Sequence, residues 1–284
     1  MKKKFEEVLK NTGLRCDPGK FFQLFLILCF SVAILAGCMK TKTVYKPVGQ
    51  DMATLKKNYK LAVVDAKTAE PYEIYRNLVA VNYFGDSTAG QGNLTWSSDS
   101  TGKMRVLVVS WMKQSSIQFW PVGMPFKTSN NQAYMSWITT VPEMSGFLKK
   151  NQFPDQLSMH LRIAQVLGMP PDTQNDYFVE YWVYPENLFR PAPDPEITDH
   201  EADLYFPSAV SQKHKSWFLN EMITKYDTST SSAFPWTRLG YTYDWSNPQH
   251  PIGLSEFVVD TSSLVTVQNI YSSWDYYQLS LTRK

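Results

Sequence analysis

Cysteine is nearly absent from this chain of 284 residues, and the placement of the three that exist excludes a good deal. They are Cys16, Cys29 and Cys38, all near the amino terminus. Beyond Cys38 no disulfide framework, thiolate metal site or cysteine nucleophile can form. That long remainder must be stabilised by packing alone. Surplus charge is lacking too. The chain holds 28 Lys and Arg against 26 Asp and Glu, but six of the former and three of the latter precede Cys38, which leaves 22 against 23. A near-neutral remainder without a basic stripe excludes nucleic acid as an expected partner. Catalytic signatures are missing as well. There is no His-Glu-x-x-His, no EF-hand spacing and no Gly-x-Ser-x-Gly. Gly90-Gln91-Gly92 lacks the helix pattern of a phosphate loop. No cofactor or metal site is expected, and no internal repeat is seen.

What is present begins with Phe21–Gly37, apolar except for Gln23 and Ser31. A basic stretch precedes it: Lys2, Lys3, Lys4, Lys10, Arg15 and Lys20. Basic residues, an apolar run and then small residues follow the order of a secretory signal. The run is longer than a typical signal core and shorter than the ~20 residues of a spanning helix, so length leaves both open. The residues Leu35-Ala36-Gly37-Cys38 resemble the lipobox of bacterial lipoproteins. That resemblance implies cleavage after Gly37, a diacylglycerol on the Cys38 thiol, and palmitate or a similar acyl group on the new amino terminus. It makes the membrane a partner through Cys38 and places the rest of the chain in the cell envelope, outside the cytoplasm. Met39 stands where enteric sorting would read an aspartate for inner-membrane retention, so the outer membrane is favoured. The competing reading is an uncleaved anchor helix with an incidental cysteine.

The expected organisation is a signal peptide over residues 1–37, a lipidated cysteine and flexible tether over 38–57, and one globular domain over 58–284. The tether, Met39–Lys57, is polar and carries five lysines. At that length it spans roughly 25 Å on average. All nine Trp and all 16 Tyr lie beyond Cys38. Met104–Met112 (MRVLVVSWM) is the clearest strand, apolar at nearly every position and so expected to be buried on both faces. Further strands are expected at 61–64, 117–120, 134–141, 177–184, 257–259 and 264–271. Gly85–Gly102 reads as a loop. Pro142–Lys150 reads as a helix with Pro in its first turn. Asp155–Leu167 reads as a helix with Leu157, Leu161, Ala164 and Leu167 as its apolar stripe. Ser211–Tyr226 reads as another, with Trp217, Phe218, Met222 and Ile223 inward and His214 on the surface. Strands and helices mix without regular alternation. The fold class is therefore α+β: a single domain with a mixed, mostly antiparallel sheet and two to three helices, behind an N-terminal signal or anchor helix.

Two stretches could carry chemistry. Leu188–Pro207 sets Arg190, Asp194, Glu196, Asp199, His200, Glu201 and Asp203 among four prolines. Proline stiffens such a loop, and carboxylates beside a histidine suit acid–base work. The alternative is a solvated acidic loop in which Arg190 pairs with a carboxylate. Phe234–Asn247 crowds Trp236, Arg238, Tyr241, Tyr243, Asp244 and Trp245 together. Aromatic faces with polar groups between them could stack a sugar or a peptide. The alternative is an aromatic core corner whose hydroxyls and indoles bond to nearby backbone. These residues frame two functions. One is a non-enzymatic module binding a ligand or partner, such as an envelope protein or glycan. The other is a hydrolase of envelope glycan or peptide, with acids from 190–203 and a platform from 236–245. The second requires both stretches to line one cleft.

Overall fold

Met104–Lys113 is the strand around which everything else is placed, and its sequence explains why. Val106, Val108 and Met112 alternate with Leu107, Val109 and Trp111, all buried. A strand apolar on both sides has to be central and covered on both faces. In the computed structural model, which describes residues 43–44, 51–83 and 94–283, it is both. The leader, the lipobox with Cys38 and most of the expected tether lie outside the described residues.

In chain order the strands are β1 (Thr43–Val44), β2 (Trp96–Ser98), β3 (Met104–Lys113), β4 (Pro125–Lys127), β5 (Ser136–Thr140), β6 (Asn151–Gln152), β7 (Asn175–Val183), β8 (Leu188–Phe189), β9 (Tyr241–Tyr243), β10 (Ile252–Ser255), β11 (Phe257–Val259) and β12 (Leu264–Ser272). The helices are α1 (Met52–Asp65), α2 (Gln114–Ile117), α3 (Val141–Lys150), α4 (Gln156–Val166), α5 (Gln212–Lys225) and α6 (Ser273–Thr282). The main sheet runs β4-β12-β7-β3-β5-β11-β8, with β2 added beside the start of β3. All its strand ladders are antiparallel. β9 and β10 form a separate antiparallel pair, and β1 pairs with β6 in parallel. The chain is thus α+β with a mostly antiparallel sheet.

One face of the sheet packs Leu107, Val109, Trp111 and Phe178 against α3, α4 and α6. The other face packs Val106, Val108, Val179 and Tyr181 against the irregular segments at Val79–Val81 and Ile197. A third cluster joins α1 and α5 around Trp217, Phe218, Trp236, Tyr243 and Trp245.

Several expectations are corrected. Residues 61–64 form no strand: they close α1, whose buried Leu55, Tyr59, Ala62 and Val63 fall at helical spacing. The Asp51 carboxylate caps that helix by accepting from the Thr54 N–H. The helix thus begins six residues inside the expected tether. Residues 117–120 do not extend the sheet; α2 turns the chain there. Six helices are described where two to three were expected. α6 was not expected, since the expected elements end with the strand at 264–271; Ser272 caps it and Ser273, Tyr276, Tyr277 and Ser280 give its buried face. In α4 the expected stripe is displaced: Leu157 is 80 % exposed, and Met159, Ile163, Ala164 and Val166 face the core. In α5, Ile223 is exposed and His214 is buried, its Nε2 2.8 Å from the Ala192 carbonyl. No helix among the described residues is long and apolar enough to cross a membrane.

Candidate functional site

The sheet divides beside β3. β5 pairs with β3 through Thr140 and Thr139 only, then pairs with β11 through Ile138, Trp137 and Ser136. Where that ladder stops, hydroxyls bridge the strands. Tyr181 donates to Ser136 Oγ at 2.8 Å, Ser136 to Ser110 Oγ at 3.3 Å, and Ser110 to the Trp137 carbonyl at 2.9 Å. Each hydroxyl in this chain has a partner, so the division is stable without a continuous ladder.

A cavity of about 940 Å³ lies at this division, walled by β3 from Val109 to Lys113 and by β5 from Ser136 to Thr139. Aromatic side chains dominate it: Trp111, Trp120, Trp137 and Trp236 line the wall with Phe126 and Tyr243. Their own contacts hold these rings. Trp120 sits 4.8 Å from Tyr181 and 5.4 Å from Phe126, and Trp137 meets Trp236 edge-on at 6.0 Å. Phe119 and Tyr134 also line the cavity yet are 70 % and 73 % exposed, which places them on its rim.

The charged residues of the lining are Lys113, Lys127, Lys225 and Glu256. Lys225, from α5, is paired with Glu221 at 3.3 Å and lies over Phe234 at 4.9 Å and Trp137 at 5.4 Å. Such placement combines an ion pair with cation–π attraction. Glu256 stands between β10 and β11, and its carboxyl accepts no hydrogen bond among the described residues. Burial pushes it up to about 8, against the opposing charge of Lys225. At neutral pH it is therefore mostly a neutral donor. The site can hold a largely apolar body against aromatic faces and offer it hydroxyls and a protonated carboxyl. Among the described residues no three of His, Cys, Asp and Glu cluster as metal ligands.

Of the residues expected from sequence, the cavity takes Trp236 and Tyr243. Trp236 donates its indole N–H to the Pro191 carbonyl, and Tyr243 its hydroxyl to Asp65. Asp244 is bound by both Arg162 nitrogens at 2.9 and 2.6 Å, and Trp245 donates to the Met169 carbonyl. Arg238 caps the Lys67 carbonyl at 2.6 Å and lies over Tyr226. These bonds serve the core corner.

Arg190, Asp194, Glu196, Asp199 and His200 lie outside the cavity lining. Arg190 is fully buried over the Phe257 ring. Its Nε donates to the Glu196 carbonyl at 2.9 Å, and its Nη2 to those of Asp199 at 2.8 Å and Val79 at 3.4 Å. His200 Nδ1 is 2.7 Å from the Leu78 carbonyl, and Asp194 and Glu196 accept from backbone N–H groups of their own loop. Burial, then Glu196, raises Asp199. Gly240 (φ +74°) packs on this knot: a Cβ there would lie 2.7 Å from Arg190 Cδ. The two stretches therefore meet at Trp236–Pro191 and Gly240–Arg190 as packed core. Sequence reading missed Glu256, Lys225, Trp120 and Trp137. A lone acid in the apolar run Leu254–Val259 was the available signal for the first. Comparison with protein-family models, curated proteins and solved structures finds no match to this chain.

Proposed function

We propose that this chain is a lipid-anchored binding module of the cell envelope, held through Cys38, that receives a largely apolar ligand between Trp120 and Trp137. The observation that carries the reading is the cavity itself. At about 940 Å³ it is large for a packing defect, since ligand pockets run from roughly 300 to 1,000 Å³ and are mainly apolar with a few placed polar groups. Its wall fits that description, with Ser110, Ser136 and Glu256 among tryptophans. The hydrolase reading draws no comparable support, because none of Asp194, Glu196, Asp199 and His200 lines the cavity.

The binding half is tested by titrating the domain with Nile red, an uncharged apolar dye. Saturable binding with quenched tryptophan emission is expected, and Ser116→Trp, on the cavity lining, should weaken it. Dye binding untouched by that substitution would place the ligand elsewhere. The anchoring half is tested by metabolic labelling with palmitate, where Cys38→Ala should abolish the signal.

A further inference from the structure

We propose that the cavity selects a single-chain anionic amphiphile: the apolar tail lies inside against Trp120 and Trp137, and the acidic head rests on the rim between Lys113 and Lys127. This rests on the binding function proposed above and names its ligand class. The charges facing the cavity carry it. Three lysines and one acid line the space. Lys225 is already neutralised by Glu221 and seated over two rings. Lys113 and Lys127 are exposed, and neither has an acidic partner among the described residues.

The acid, Glu256, faces Lys225 and Tyr226 of α5 rather than a rim lysine. Burial keeps it mostly neutral at pH 7, so no fixed anion opposes an incoming acidic head. The rim adds the second element. Phe119 and Tyr134 are exposed there, with Val122 and Met124 exposed on the loop that follows Phe119. Apolar rings beside unpaired cations match the junction of an acyl chain and an anionic head. A cationic amphiphile would meet like charge at the same place, and an uncharged one would gain nothing from the lysines.

The test compares laurate, dodecanol and dodecylamine, which share a tail and differ in head charge, by displacement of Nile red at pH 7 and low salt. Laurate is expected to bind about tenfold tighter than dodecanol, with dodecylamine weakest, a range consistent with two partly exposed charge contacts. Lys113→Gln with Lys127→Gln should erase the preference for laurate and leave dodecanol unchanged. Added salt should narrow the difference, because exposed charges are screened. Equal binding of the three heads, or a preference for laurate that survives the double substitution, overturns the anionic ligand and leaves the apolar cavity standing. Failure of Nile red itself to bind overturns the cavity reading first.

Discussion

The knot at Arg190 fully buries a charge-bearing side chain and the cavity wall half-buries one at Glu256, and the two are held in different ways. Arg190 sits in the stretch richest in charge, yet three backbone carbonyls, the Phe257 ring and the Gly240 backbone enclose it. Glu256 sits in an apolar run; its backbone N–H donates to the Gly240 carbonyl, and its carboxyl accepts no hydrogen bond among the described residues. Arg190 keeps Nη1 buried without a hydrogen bond, yet its Nε and Nη2 tie three carbonyls together and close the fold; a half-buried carboxyl on a cavity wall is available to something else. The density of charged letters is thus a poor guide to a site. The environment of one carboxyl is a better one.

The largest effect expected from this contrast is at the knot. Arg190→Met keeps most of the bulk but strips donors from the carbonyls of Val79, Glu196 and Asp199. Each buried acceptor left unpaired costs about 1–3 kcal/mol, so a total loss of about 4 kcal/mol is expected. Urea denaturation measures it, and a loss below about 1 kcal/mol would show that water reaches those carbonyls and that the knot is not closed.

Next in size is a second closed charge. Glu180 on β7 is 1 % exposed and is held by Arg283, whose Nη1 and Nη2 donate at 2.5 and 3.1 Å. Arg283→Ala leaves that carboxylate buried without its cation, a change worth about 3 kcal/mol. The Glu180→Gln, Arg283→Ala double variant should recover part of the loss in the same denaturation series. No recovery would mean that the arginine stem, not its charge, secures the end of α6.

Glu256 should respond with the opposite sign. Its folded carboxyl titrates near 8 and its unfolded one near 4.5. Between those values the folded state holds the proton that the unfolded state has released. Stability therefore falls as pH rises through that window and is flat above it. Lys225 and Tyr226 are the titratable neighbours on α5, and burial pushes the Tyr226 hydroxyl up, further from the window. Glu256→Gln removes the decline, so at pH 7 the variant should be more stable than the parent by about 3 kcal/mol, while the two converge near pH 4. Melting curves from pH 4 to about 9 decide this. Parallel profiles for parent and variant would mean that the carboxyl is solvated.

The same contrast explains what could be read from the chain. β3, β5, β7, α3 and α5 were legible because period-two or period-3.6 apolar patterns ran through them and Pro142 marked a helix start. α6 was not, since Trp274, Tyr276 and Tyr277 favour strands when taken singly, and the Ser272–Asp275 cap is a weaker signal than three aromatics. The Leu157 stripe failed because Leu161 and Leu167 fit two adjacent helix faces, and tertiary packing chose the one bearing Met159 and Ile163. The aromatic corner at Trp236–Trp245 was visible as a cluster, and part of it does reach the cavity. The other wall comes from Trp120, Trp137, Lys225 and Glu256, scattered over more than a hundred residues and brought together only where β5 leaves β3 for β11.

The smallest effect belongs to the acidic loop. Asp203 is exposed, and Glu196 spends its oxygens on its own turn. Asp203→Asn should shift stability by no more than about 0.5 kcal/mol, and Nile red affinity should stay the same. Glu196→Gln still offers a carbonyl oxygen to the Thr198 or Asp199 N–H, so its dye affinity should be equally unmoved. Should either substitution weaken the dye about tenfold, a loss of about 1.4 kcal/mol, the loop would be coupled to the cavity through a path the contacts around Arg190 do not provide. The contrast between a closed knot and an open wall would then dissolve.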